Sequence, residues 1–239
     1  MNAYAKLLDT LIDKYDFYKV FFQYPYPADY YPLDDECELY FGATRGCLVL
    51  PNMPTVVKFD VDRDGMDESV CEREVATFNK AKENHLEGVF ASAKYIGTYI
   101  RTIHYWKWDV VREVVGEDCD EDEDYWSEVI AENLSEEDKV DITIRIPLYE
   151  YEKAEEHDFH PSDESCKKLE RNKVFAYPTV GAQFMDTYGE VMFRAIEKFC
   201  EDNGINDLHL GNVGFIRGKI VFIDYAGYYT KGNSNDEED

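Results

Sequence analysis

The spacing of apolar side chains predicts a helix at the start of the chain, over residues 3–19. The apolar positions recur at intervals of three and four residues, and they are Leu7, Leu8, Leu11, Ile12 and Tyr15. Such a stripe must bury against another part of the protein. The next stretch, 24–32, is rich in tyrosine, proline and aspartate and cannot continue a helix, so we expect a linker there.

Short runs of β-forming residues follow, separated by turns. The runs 37–41, 47–50 and 55–61 predict three antiparallel strands, with a turn from Gly42 to Gly46 between the first two. A helix is predicted over 67–86, and its inward face carries Cys71, Glu74, Phe78 and Ala81. Strands at 94–103 and 142–151 complete a sheet of about five strands, with the helix inserted after the third.

The remaining pattern divides the chain into segments. Residues 105–139 are expected to form an insertion with an acidic run, and 184–203 to form one long helix closed by Gly204. The expected units are an N-terminal helix and linker at 1–33 and an N-lobe at 34–151, with its insertion at about 105–140. A reduced C-lobe at 152–230 and an acidic tail at 231–239 follow.

Composition excludes several classes of function. The net charge is −26, from 51 acidic against 25 basic residues, so direct binding to nucleic acid is not expected. A solvated surface explains this charge, and docking to a basic protein partner is the alternative. The six cysteines form no C-x-x-C pair, so a structural zinc site is not expected. No run of about 18 apolar residues is present, so we expect a cytoplasmic protein with no membrane span.

The side chains most suited to catalysis or metal binding follow the long helix. Asp207-Leu208-His209-Leu210-Gly211-Asn212 precedes a predicted hairpin around Arg217-Gly218, and Asp224 ends that hairpin. Phosphoryl transfer needs an acid beside the acceptor hydroxyl and oxygen ligands for magnesium, and this series supplies both. Turn and helix-end chemistry is an alternative for Asp207 and Asn212. It suits Asp224 less well, because an acid at the end of an apolar strand is costly to bury without a cation or hydrogen bonds.

This order resembles the catalytic loop and metal-binding aspartate of the protein kinase-like superfamily, and its D-L-H-x-G-N form is closest to the aminoglycoside and choline kinases. Upstream, Val56-Val57-Lys58-Phe59 resembles the lysine-bearing strand, and Glu74 lies on the next helix. The resemblance covers about residues 36–228. It implies an α+β, two-lobed kinase-like fold with an antiparallel N-lobe sheet plus helix and a reduced, mainly helical C-lobe.

The resemblance also implies roles for individual residues. Gly42 and Gly46 would cover the phosphates of ATP, Lys58 would contact them, and Glu74 would orient Lys58. We prefer Glu74 to Glu72, which points about 160° away around the helix. Asn212 and Asp224 would bind Mg²⁺, and Asp207 would orient or deprotonate the acceptor hydroxyl. Residues 148–151 would present backbone groups to the adenine ring. A surface lysine, a surface glutamate and an ordinary turn remain the alternatives for the upstream residues.

Three features depart from the family pattern. Ile205-Asn206 replaces the usual histidine-containing entry to the loop, the glycine turn is short, and only 15 residues follow Asp224, so no activation segment or substrate platform is expected. Three functions therefore stay open. The first is an ATP- and Mg²⁺-dependent phosphotransferase with an unknown acceptor. The second is a pseudokinase that acts as an acidic protein-interaction module, with or without nucleotide binding. The third is an acidic decoy for nucleic-acid-binding proteins.

Overall fold

The computed structural model describes residues 2–14, 30–32, 37–41, 44–61, 69–115, 129–155, 158–169, 175, 177–206 and 208–226. Within these ranges, a six-stranded antiparallel sheet and a separate two-stranded hairpin combine with helices. The predicted α+β class and antiparallel sheet are therefore confirmed. No helix in the described part of the chain is both long and apolar enough to cross a membrane.

The large sheet contains one more strand than predicted. Its strands, in chain order, are β1 Tyr30–Pro32, β2 Glu38–Phe41, β3 Arg45–Val49, β4 Thr55–Asp60, β5 Ala93–Trp106 and β6 Lys139–Glu152. The spatial order is β1-β2-β3-β4-β6-β5, and each neighbouring pair is antiparallel. The extra strand is β1, which lies inside the predicted linker. Proline is tolerated there because β1 is at the sheet edge.

Strand β5 continues past its predicted end at 103 to Trp106, and β6 begins at Lys139 instead of 142, so the hairpin reaches the edges of the segment predicted to be an insertion. Their pairing continues to Trp106 and Lys139, whose ammonium lies 4.2 Å from the centre of the Trp106 ring. Polar pairs join the exposed part of this hairpin, and the pair of His104 with Asp141, at 3.0 Å, lies beyond the predicted ends of both strands. The polar side chains break the apolar alternation that marks a strand in the sequence, which explains the shorter prediction. The predicted acidic run at 117–124 lies outside the described residues.

The first helix, α1, spans Asn2–Lys14 and confirms that part of the predicted helix; residues 15–19 lie outside the described ranges. Its apolar stripe packs on one face of the sheet, in a core that includes Leu8, Leu11, Leu48 and Val57. Asp9 accepts a 2.7 Å hydrogen bond from the Tyr99 hydroxyl, so polar contacts with β5 also hold the helix.

The other face of the sheet packs against α2 and the C-terminal helices. These helices are α2 Val70–Glu83, α4 Asp163–Leu169, α5 Pro178–Tyr188 and α6 Glu190–Asp202. The remaining helix, α3 Trp108–Val115, contributes Val111 to the core on the α1 side. The single helix predicted over 184–203 is wrong, because Gly189 has a φ of +80° and separates α5 from α6. The change of direction leaves Val191 89% exposed, whereas Phe193 and Ile196 are buried.

The predicted C-terminal hairpin is confirmed. Strands β7 Val213–Ile216 and β8 Lys219–Phe222 are joined by Arg217 and Gly218, which have φ values of 52° and 75°. Two positive φ angles at the centre of a two-residue loop are typical of a type I′ turn.

Backbone contacts attach this hairpin to one end of the β5–β6 pair, where β5 begins and β6 finishes. The Ala91 amide, just before β5, donates to the Phe222 carbonyl at 2.8 Å. Glu155, just after β6, exchanges two backbone hydrogen bonds with Phe215, at 2.8 and 2.9 Å. The residues that follow β8 therefore have a fixed position against the sheet.

Candidate functional site

Asn212 and Asp224 lie side by side where the hairpin begins and ends. The backbone carbonyl of Asn212 accepts hydrogen bonds from the backbone amides of Ile223 and Asp224, at 2.9 and 3.3 Å. The loop before Asn212 is held by His209, whose carbonyl accepts from the Asn212 amide at 3.0 Å and whose Nδ1 accepts from the Gly211 amide at 3.0 Å. Asn212 is 8% exposed and Asp224 is half-buried. These hydrogen bonds bring both candidate magnesium ligands to one point.

Lys58 reaches the same point from the large sheet. Its ammonium donates a 2.8 Å hydrogen bond to the carbonyl of Ile223, which is 165 residues away in sequence and directly precedes Asp224. The ammonium also lies 4.6 Å from the centre of the Tyr151 ring. Lys58 is therefore not a solvent-facing strand lysine, because its charge is directed at the end of β8.

Glu74 is fully buried, whereas Glu72 is exposed, which agrees with the preference for Glu74 as the inward residue of α2. Its two carboxylate oxygens have different partners. One lies 2.5 Å from Nη1 of Arg45, and the other accepts a 2.8 Å hydrogen bond from the backbone amide of Tyr225. Among the described residues, Glu74 forms no ion pair with Lys58. The partner expected for Glu74 is therefore replaced by Arg45.

Arg45 is the residue that the sequence analysis missed. Its second guanidinium nitrogen pairs with the carboxylate of Asp224, so one side chain bridges Glu74 and Asp224. Burial opposes the charge on Arg45, but the charges of Glu74 and Asp224 outweigh it and hold the pKa of Arg45 well above its usual value. The cluster thus consists of two acids on different segments joined by one buried cation.

The same balance applies to Asp224. Burial disfavours its carboxylate form, but the positive charges of Arg45 and Lys58 are the stronger influence and lower the pKa of Asp224. Tyr151 is affected in the opposite direction: burial, followed by the charge of Glu74, raises the pKa of its phenol well above the usual value. At neutral pH the site therefore contains an ionised Asp224 beside a neutral tyrosine.

Two of the predicted site residues, Gly42 and Asp207, lie outside the described residues. Gly46 is described, and it is buried at the start of β3. A Cβ atom at this position would overlap the ring of Phe59, which is itself fully buried. Close packing between β3 and β4 is therefore a sufficient reason for glycine here.

We expect Gly46→Ala to lower the free energy of unfolding by about 1–3 kcal/mol, because a methyl group must be inserted into a filled core. Gly88→Ala is the matched control, since a Cβ there has nothing within 4 Å. Urea denaturation followed by fluorescence measures both variants. Equal stability of the two would contradict the packing explanation.

A cavity of about 680 Å³ adjoins the site. It is lined by Ala154, Glu155, Asp158, Phe159, Leu210, Gly211, Val213, Gly214, Phe215 and Ile223. Its volume is within the range of small-molecule pockets, and Ile223 connects it to Lys58 and Asp224. It combines aromatic walls with two acidic side chains.

The pairing of β6 contradicts the position expected for the adenine contact. Residues 148–151 lie within β6, which is paired with β4 on one side and β5 on the other. Their backbone groups therefore face neighbouring strands, and the expectation that they face a ligand is wrong. The segment that reaches the cavity starts later, at Ala154 and Glu155.

The donor types around Asp224 suit magnesium. Within the described residues, no group of three or more His, Cys, Asp or Glu side chains is arranged to hold a metal ion. Asn212 and Asp224 nevertheless carry oxygen donors, which Mg²⁺ prefers, and the ion pair with Arg45 shows that Asp224 accepts a cation. These two residues could hold a magnesium ion that also has water or phosphate ligands.

No protein-family model matches the chain, and no curated protein matches it. The function must therefore be argued from the contacts described above.

Proposed function

We propose that this protein is a kinase-like, ATP- and Mg²⁺-dependent phosphotransferase whose acceptor is unknown. One observation carries the proposal. The ammonium of Lys58 donates a hydrogen bond to the backbone carbonyl of Ile223. The backbone carbonyl of Asn212 accepts hydrogen bonds from the backbone amides of Ile223 and Asp224. A lysine and two candidate magnesium ligands from distant segments thus meet at the end of one hairpin.

The order of elements supports the same proposal. Lys58 lies on β4, the buried Glu74 lies on the helix that follows, and Asp224 follows the β7–β8 hairpin. This is the order that the resemblance to the protein kinase-like superfamily implies. Glu74 also binds the amide of Tyr225, so α2 fixes the backbone beside Asp224 even though Glu74 does not pair with Lys58.

Each of these residues has its own proposed role in binding ATP, magnesium or the acceptor. Lys58 supplies positive charge for phosphate oxygens, and the cavity beside Ile223 offers the aromatic walls Phe159 and Phe215 to a nucleotide base. Asn212 and Asp224 hold magnesium, which neutralises charge on the transferred phosphate when it is bound. Asp207 remains the residue proposed to orient the acceptor hydroxyl.

Calorimetric titration with ATP, with and without Mg²⁺, tests the proposal. We expect the protein to bind Mg²⁺-ATP, and Asp224→Asn to weaken that binding by about 10- to 100-fold, because it removes a charged ligand. Asp141→Asn is the matched control, since Asp141 is an exposed aspartate on the β5–β6 hairpin. Absence of binding at millimolar ATP, or equal affinity in Asp224→Asn and the parent, would contradict the proposal.

A nucleotide-binding pseudokinase is the second candidate, and the ion pair between Arg45 and Asp224 favours it, because that pair occupies one of the carboxylate oxygens available to a metal. The net charge of −26 suits a basic protein partner for such a module. Incubation with radiolabelled ATP and a panel of hydroxyl acceptors separates the two. ATP binding without phosphate transfer or ADP formation, whether or not it requires Mg²⁺, would favour the pseudokinase.

A further inference from the structure

The Arg45 guanidinium bridges two carboxylates whose environments differ. Glu74 is completely buried and also holds the Tyr225 amide, whereas the Asp224 side chain is 37% exposed. Arg45 itself is only 7% exposed. Buried charges are retained only when they are paired, so the pair with Glu74 is the inner and more permanent half of this bridge. The pair with Asp224 is the outer half, and it is the half that solvent reaches.

We propose that Arg45 is an exchangeable internal cation of this site: a divalent metal ion displaces it from Asp224, while Glu74 retains it. The inference rests on the proposed function, because it concerns the regulation of the same site. A guanidinium and a metal ion compete for one carboxylate, and their like charges repel at such short range. A metal ion that binds Oδ2 of Asp224 must therefore first break the outer half of the bridge.

This competition lowers the apparent affinity for metal. The metal binds only the fraction of molecules in which Asp224 is released, so its apparent dissociation constant rises as that fraction falls.

Titration with Mn²⁺ alone, followed by electron paramagnetic resonance, tests the exchange. Arg45→Gln removes the competing charge while leaving an amide that can donate to Glu74, and we expect it to bind Mn²⁺ at least about tenfold tighter than the parent protein, which is a change of about 1.4 kcal/mol. Adding Asp224→Asn to Arg45→Gln should abolish the gain. Lys219→Gln is the matched control for net charge, because it removes one exposed positive charge from the adjoining hairpin; it should leave the Mn²⁺ affinity unchanged.

Circular dichroism establishes that each variant is folded before titration. If Arg45→Gln does not fold, Arg45→Lys provides the second test. A lysine keeps the charge beside Glu74, but its single ammonium cannot bridge two carboxylates as a guanidinium does. We therefore expect a smaller gain in Mn²⁺ affinity of about three- to tenfold, between the parent and full removal of the charge.

The result that overturns the exchange is an unchanged Mn²⁺ affinity in a folded Arg45 variant, or a gain that persists after Asp224→Asn is added. Either result, with Mg²⁺-ATP binding that still depends on Asp224, would refute the exchange and leave the phosphotransferase standing. A gain in Mn²⁺ affinity that depends on Asp224, in a protein that binds no ATP, would support the exchange and refute the phosphotransferase.

Discussion

Replacing Glu74 with alanine is expected to lower the free energy of unfolding by about 3–5 kcal/mol, since removing one partner of a buried ion pair leaves the other without compensation. The loss has two sources. Arg45 keeps only the partly exposed Asp224, and the buried amide of Tyr225 loses its acceptor. Urea denaturation at fixed ionic strength, followed by tryptophan fluorescence, measures the change.

Glu72→Ala is the matched control for this substitution. Glu72 is exposed on the same helix, and among the described residues its side chain accepts a 3.3 Å hydrogen bond from the Tyr149 hydroxyl. We expect it to change stability by less than about 1 kcal/mol. Glu74→Gln keeps an acceptor for the Tyr225 amide but loses the charge, so it should fall between the two. Similar stability of Glu74→Ala and Glu72→Ala would show that the ion cluster does not hold α2 against the hairpin.

The sequence predicts elements well where their pattern is local. Alternating side chains give β2, β3 and β4, and the face carrying Cys71, Glu74 and Phe78 gives α2. The prediction fails where a single residue changes the geometry. Gly189 adopts a positive φ that the apolar periodicity across it does not reveal, so the end of α5 and the whole of α6 were predicted as one helix.

The site shows the same division. The order of Lys58, Asn212 and Asp224 along the chain was sufficient to propose that they meet, because each belongs to a recognisable pattern. The role of Arg45 could not be proposed from chain order, because it depends on strand register. In the register of β3 and β4, Arg45 lies opposite Asp60 and Cys47 lies opposite Lys58. Because side chains alternate between the two faces of a strand, Arg45 and Lys58 are on the same face of the sheet. That face became evident only when the pairing of β3 and β4 was known.

The fold and the candidate site share the same charges. Arg45 belongs to β3, Glu74 to α2 and Asp224 to the segment after β8, so their cluster joins three parts of the structure. A ligand that takes Asp224 from Arg45 must weaken this connection while it forms its own contacts. Stability and metal affinity are therefore expected to oppose each other in variants of this cluster, as is common for functional sites.

The other large effect is expected from Phe222→Ala, at the last residue of β8. Its ring is fully buried and packs against three other rings, with centroid distances of 4.4 Å to Phe184, 5.1 Å to Phe90 and 6.2 Å to Phe175. Removing it leaves a cavity where the sheet, α5 and the hairpin meet. We expect a loss of about 3–5 kcal/mol in the free energy of unfolding, measured by urea denaturation.

The position of Phe222 makes this substitution informative about the site as well. Its carbonyl accepts from Ala91, and the next two residues are those that bind Lys58 and Arg45. Val191→Ala is the matched control, because it shortens an apolar side chain that is 89% exposed and should change stability by less than about 0.5 kcal/mol. If Phe222→Ala were as stable as this control, the aromatic cluster would not be what fixes Asp224 against the sheet. The polar contacts of this segment with Asn212, Lys58 and Arg45 would then have to hold it.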